Sequence, residues 1–178
     1  MNSTICNQEL DKSLKWYAIY TRSRHEFKVN QELARKQFDT FLPAVKSLRR
    51  WKDRKKYINI PLFPGYLFLH CQMDDHKYLE IQKTNGVVKV LGKNKRELFS
   101  IPDEEIESVK ILTENKTTIK HHPYVKEENS IEIVNGPLAG TKGILTEKDS
   151  HKSTIVVTIH LIVKSISCEV DNSDIEPC

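Results

Sequence analysis

No Cys-x-x-Cys pair occurs in this chain: its four cysteines, Cys6, Cys71, Cys168 and Cys178, are scattered through 178 residues. That spacing speaks against a zinc ribbon and a disulfide framework, and it fits a reducing compartment. Glycine is scarce, with six residues, and none of them builds a phosphate-cradling loop of the dinucleotide or P-loop type. There is no nucleophile-elbow motif. His70 and Cys71 are neighbours on an expected strand, so their side chains face opposite sides and cannot act as a pair. His121-His122 brings no further ligands with it, and a metal site is not expected there. The longest apolar run, Thr154 to Val163, is broken by Thr158 and His160 and is about half the length needed to span a bilayer. Met1 to Leu14 is polar, with Glu9 and Asp11, unlike a signal peptide. The expectation is a cytoplasmic binding protein without cofactor, metal, membrane contact or enzymatic activity.

What is present is charge, unevenly placed. The net charge of +4 divides into 21 − 15 = +6 through Asn115 and 7 − 9 = −2 from Lys116 onward. A basic first half suggests that nucleic acid, if bound, meets that half. The densest run is Lys46 to Lys56, with Lys46, Arg49, Arg50, Lys52, Arg54, Lys55 and Lys56. Trp51 and Tyr57 interleave it, as in surfaces that stack on bases or sugars. A run of charge is also what an ordinary solvated face looks like.

The pattern of breakers and periods predicts an α+β chain. Strands are expected at Lys15 to Thr21, Thr40 to Leu48 around Pro43, Leu62 to Cys71 and Val87 to Leu91, with a charged hairpin or loop over Lys52 to Asn59. Helices are expected at His25 to Phe38, Asp75 to Thr84 and Ser100 to Thr113, the last opened by Pro102 and three acids. Residues 15–113 thus form an antiparallel sheet flanked by helices. Residues 114–129 are polar and without a clear period, which reads as a linker. Residues 130–176 hold five short strands at Ile131–Val134, Lys142–Thr146, Thr154–His160, Ser165–Val170 and near Ile175, the pattern of a small β-barrel.

Two motifs give this plan a family. Pro61-Leu62-Phe63-Pro64-Gly65-Tyr66-Leu67-Phe68-Leu69 follows the Trp-Tyr strand and an amphipathic helix. Asn135-Gly136-Pro137-Leu138-Ala139-Gly140-Thr141-Lys142-Gly143 comes some 75 residues later. The first resembles the amino-terminal (NGN) domain of NusG-type transcription elongation factors, and the second resembles the KOW motif of their SH3-like barrel. In wording such as Thr21-Arg22-Ser23-Arg24-His25-Glu26 the chain looks less like housekeeping NusG than like specialised paralogues, the RfaH or capsule-operon antiterminator kind.

The resemblance implies that one apolar face of the first domain sits on the clamp helices of RNA polymerase. The matching positions are Tyr20, Phe63, Tyr66 and Phe68. A second contact across the polymerase cleft falls at Lys77, Tyr78 and Leu79, where RfaH carries His-Thr-Thr and this chain does not. Bridging the cleft would favour the closed, elongating state and suppress pausing or termination in selected operons. Arg22, Arg24 and His25 match where such paralogues meet upstream or non-template DNA or act on nascent leader RNA. Arg49, Arg50, Lys52 and Arg54 would add phosphate contacts.

By the same resemblance the barrel recruits a ribosomal protein or the termination factor Rho. Gly136, Gly140 and Gly143 suit a tight turn, with Leu138 expected exposed at its tip. The β-branched run Thr154 to Ile159 disfavours helix, so a barrel at rest, without masking of the sheet face, is expected. The rival reading is a KOW-type RNA-binding module for ribosomal or leader RNA, with Trp51 and Tyr57 stacking on bases.

Overall fold

A computed structural model describes residues 13–50, 55–115, 118–124, 130–148 and 151–177. The first domain runs β1 (Lys15–Thr21), α1 (Glu26–Arg35), β2 (Asp39–Phe41), β3 (Ala44–Arg50), β4 (Lys55–Pro61), β5 (Tyr66–Cys71), α2 (Asp75–Gln82), β6 (Val87–Val90), β7 (Gly92–Asn94), β8 (Glu97–Leu98), β9 (Ser100–Ile101) and α3 (Asp103–Glu114). The second follows as β10 (Lys120–His122), β11 (Ser130–Ile133), β12 (Lys142–Lys148), β13 (Lys152–Ile159), β14 (Lys164–Asp171) and β15 (Ile175–Pro177). The chain is α+β, and every strand pairing in it is antiparallel.

The first sheet has the order β2-β5-β1-β6, with β9 also on β1. Register runs from Lys15↔Cys71 to Tyr20↔Tyr66. Period-2 alternation then sorts the side chains. Tyr17, Ile19, Leu67 and Leu69 pack with Val29 and Leu33 of α1 and Ile81 of α2. Trp16, Ala18 and Phe68 face the other way, toward Ile106, Val109 and Leu112 of α3.

Four elements differ from the sequence expectation. The strand expected over Thr40 to Leu48 divides at Pro43, whose carbonyl accepts the Leu62 N–H at 2.8 Å. Its second half pairs with β4 from Ala44↔Pro61 to Arg50↔Lys55 in a two-stranded ribbon, a sheet separate from the main one, and residues 51–54 of the charged stretch lie outside the described residues. The β7–β8 hairpin and β9 were not expected. Ser100–Ile101 lies on β1 because the residue before Pro102 favours extended backbone, and α3 starts only after that proline. Finally, residues 114–129 are not linker throughout: Lys120–His122 pairs with Ser165–Ser167, giving the edge of β14 a partner.

The barrel sheet has the order β10-β14-β13-β12-β11-β15. Ile131, Ile133, Ile155, Val157, Ile166 and Val170 are buried within it. Residues 152–159 and 164–171 are strands, as their β-branched content leads one to expect. At Gly143 a Cβ would come within 2.5 Å of Ile155 Cγ2 and 2.9 Å of the Val156 carbonyl, so side-chain-free backbone is what lets β12 lie on β13.

Candidate functional site

The Pro-Gly-Tyr turn is fastened at both peptide ends. Gly65 has φ +85, a conformation open to glycine and costly for other residues. Its N–H donates to Glu26 Oε1 at 2.8 Å, and its carbonyl accepts the Thr21 N–H at 2.8 Å. Glu26 is buried at the start of α1, so this carboxylate ties helix, turn and first strand together. A Cβ at Gly65 would touch the Tyr20 ring at 3.2 Å. Tyr20 and Tyr66 are cross-strand partners with ring centroids 5.2 Å apart. Burial, and then the neighbouring Tyr20, raise the Tyr66 phenol above its ordinary pKa. Tyr20 keeps 38% exposure and Tyr66 is half-buried, so the pair offers an aromatic surface.

Phe63 and Phe68 do not lie on an open face in this arrangement. They are 1% and 0% exposed and belong to a ring chain inside their own domain, Phe63 to Phe68 at 5.8 Å and Phe68 to Phe41 at 6.3 Å. Rings of this size gain most by leaving water altogether. Tyr66 packs against the cluster they belong to.

Beside that pair runs the basic loop. Arg22, Ser23 and Arg24 are exposed, and Arg24 takes a left-handed φ of 62. The Arg22 N–H donates to the Gly86 carbonyl at 2.8 Å, and His25 Nδ1 donates to the Ser23 carbonyl at 3.0 Å. Gly86, φ +102, is required where it stands, because a Cβ would lie 2.8 Å from Val29 Cγ2 and 3.1 Å from His25 Cβ. Among the described residues, neither arginine has a carboxylate at ion-pair distance.

At α2 the three expected residues differ in availability. Asp74 caps the helix by accepting the Lys77 N–H at 2.7 Å. The Lys77 ammonium donates to the Gln72 carbonyl at 2.9 Å. Tyr78 receives Gln82 Nε2 at 3.2 Å on its hydroxyl and lies under Lys95. Leu79 projects, at 47% exposure. Arg49 and Arg50 end β3, while Lys52 and Arg54, with Trp51, lie outside the described residues.

The barrel is docked on α3. Glu105 Oε2 accepts the His160 backbone N–H at 3.1 Å and Oε1 faces His160 Nδ1 at 3.0 Å. Ser108 Oγ accepts the Lys142 N–H at 3.0 Å, and the Lys142 ammonium pairs with Glu104 at 3.0 Å. Ile111 Cδ1 sits 3.5 Å from where a Cβ of Gly140 would be. A cavity of about 390 Å³ remains between α3 and the barrel. The 160–162 turn lies beside β9, hence at the Trp16 end of β1. Tyr20 is four residues away along the strand, roughly 13 Å, and stays open. Leu138 is also corrected: it is 6% exposed, because Gly136 (φ +77) and Gly140 (φ +87) fold the turn back until the Leu138 carbonyl accepts the Thr141 N–H at 3.1 Å.

These α3 contacts were missed from sequence. Its acids read as helix-start residues, which they also are; the one available signal was an apolar arc on α3 too wide for a single neighbour, with Ile106, Val109 and Leu112 buried alongside Ser108. Among the described residues no cluster of three or more His, Cys, Asp or Glu could hold a metal, and no helix is long and apolar enough to cross a membrane.

Comparison with known proteins agrees with this construction. The family model described as "Transcription termination factor nusG" matches residues 14–110. The transcription termination/antitermination protein NusG of Thermus thermophilus is 25% identical over 180 residues, covering 92% of this chain and 98% of that protein. NusG of Rickettsia bellii is 25% identical over 185 residues, 99% and 96% of the two chains. A solved structure described as "Domain interaction in Thermotoga maritima NusG" aligns with a TM-score of 0.56 at 22% identity, covering 92% of this chain and 97% of that one; at that identity the likeness is one of fold. With more than half of its length inside the family model, this chain belongs to the NusG family of transcription termination factors.

Proposed function

We propose that this protein is a transcription elongation and antitermination factor that binds the RNA polymerase clamp through its first domain. The observation that carries the reading is the Tyr20–Tyr66 pair, left half-open on a turn fastened by Glu26, at the end of the sheet away from the docked barrel. Leu79 on α2 supplies the contact across the cleft, together with its neighbours Lys77 and Tyr78, and the buried Phe63 and Phe68 belong to the cluster against which Tyr66 packs. Arg22, Arg24 and His25, on the loop beside the aromatic pair, face upstream or non-template DNA, or nascent leader RNA. By biasing polymerase toward its closed state the factor suppresses pausing or termination in selected operons. The barrel recruits a ribosomal protein or Rho. The chemistry remains polymerase's own.

Each aromatic covered by a partner contributes about 1.5–3 kcal/mol. A Tyr20→Ala/Tyr66→Ala variant therefore loses core polymerase in co-purification, with folding checked by circular dichroism. Retention at the wild-type level by the folded variant refutes the clamp contact.

A further inference from the structure

The net positive charge of the chain resides in one stretch of sequence. Residues 44–61 carry seven Lys and Arg against Asp53 alone, +6, so the remaining residues sum to −2 of the total +4. Outside it, Arg35, Lys77, Lys93, Lys95, Lys110, Lys120 and Lys142 each have an acid within 4.0 Å. Among the described residues, Lys46 and Lys56 have none. A stretch that concentrates the net positive charge of the chain, and whose described lysines have no acid beside them, suits an external polyanion.

The ribbon also has faces of different character. Val45, Ser47, Ile58 and Ile60 are half-buried, turned to the body of the domain. Lys46, Leu48, Tyr57 and Asn59 alternate with them and are exposed. Register places Lys46 opposite Asn59 and Leu48 opposite Tyr57. Tyr57 is 69% exposed, the most open of the large apolar side chains in the described residues. Lys46, Tyr57 and Asn59 line a groove of about 470 Å³.

We infer that this face is a binding seat for single-stranded nucleic acid. Tyr57 is the platform on which an unpaired base stacks, Asn59 presents an amide to the base edge, and Lys46 takes the phosphate. A duplex keeps its base faces hidden, so a purely phosphate-directed ribbon would have no use for an open ring and leucine at its centre. The phosphate–base repeat is common to DNA and RNA, and the assignment is to that shared chemistry. It deepens the nucleic-acid contact proposed above but is tested without polymerase, so its failure leaves the clamp contact standing.

The test is fluorescence anisotropy of full-length protein with labelled oligo-dT, oligo-rU and a mixed-sequence duplex across a salt series. Single strands bind more tightly than the duplex, and the dT to rU ratio identifies which strand is preferred. Tyr57→Ala weakens single-strand binding by about fivefold to a hundredfold, the worth of one stacked base, without changing the salt slope. Tyr57→Phe restores it. Lys46→Gln lowers the log–log salt slope by about 0.7, one single-strand phosphate. Tighter duplex binding, no effect of Tyr57→Ala in a protein with wild-type circular dichroism, or no binding by wild type at low salt would each overturn the assignment.

Discussion

Removing one carboxylate should undock the barrel. Glu105 is only 16% exposed and serves His160 twice, through the backbone N–H and the ring. Hydrogen bonds to a charged group contribute about 1.5–3 kcal/mol, and truncation leaves the half-buried donors of His160 without that acceptor. Glu105→Ala therefore raises the undocked to docked ratio by about tenfold to a hundredfold. Glu104 occupies the same helix start and also reaches the barrel, but its pair with Lys142 is 71% and 45% exposed. Exposed pairs are worth about 0–1 kcal/mol, so Glu104→Ala moves the ratio little, and it controls for loss of an acid from the helix amino terminus. Glu105→Gln keeps a carbonyl acceptor for one of the two donors and falls between them. The assay is nitrogen relaxation in full-length protein: docked domains tumble together, undocked ones separately, and amide exchange at Ser108 and Leu112 rises in parallel. Joint tumbling and unchanged exchange in Glu105→Ala would show that apolar contact alone holds the interface and refute the reasoning.

Two further outcomes rest on packing and burial. Gly143→Ala forces a methyl against Ile155 and the Val156 carbonyl and costs the barrel about 1–3 kcal/mol, seen as a lower urea midpoint by circular dichroism; an unchanged midpoint would show that β12 can shift freely. Burial pushes the Cys71 thiol, close to Asp74 and Lys77, up to about 11 and the Cys168 thiol up to about 11. For each, the fold favours the neutral thiol, so this stabilisation is fully present below the ordinary thiol pKa and is lost as pH rises through the folded value. At pH 9 both are mostly protonated in the fold, and iodoacetamide labelling read by mass spectrometry should be about fiftyfold slower than in urea. Equal rates would mean that neither thiol is held neutral.

Elements defined by apolar alternation and hard breakers were legible. β1 ends at Thr21 as expected because Arg22-Ser23-Arg24 cannot continue a half-buried strand. α2 stops two residues early, within the usual fraying of helix ends. The β7–β8 hairpin and β10 were illegible for the opposite reason: Lys93, Asn94, Lys120 and His121 are polar, and their strands exist to complete hydrogen bonding rather than to bury side chains. Alternation assigned Phe68 to the same face as Tyr66 but could not say what covers that face, so the open surface shrank from four aromatics to two. On α3, Glu105 and Ser108 have residue types that belong to solvent, and only the tertiary arrangement turns them inward.

The short strand at Lys120–His122 has a consequence for how the two domains find each other. With it paired, five residues (115–119) separate the end of α3 from the barrel sheet. Were it to peel from β14, the tether would reach from 115 to 129, three times as long. Chain statistics make the local concentration of barrel at α3 fall by about fivefold for that change. A ligand that competes for the edge of β14 would therefore loosen the interface from a distance, by lengthening the leash rather than by touching either face.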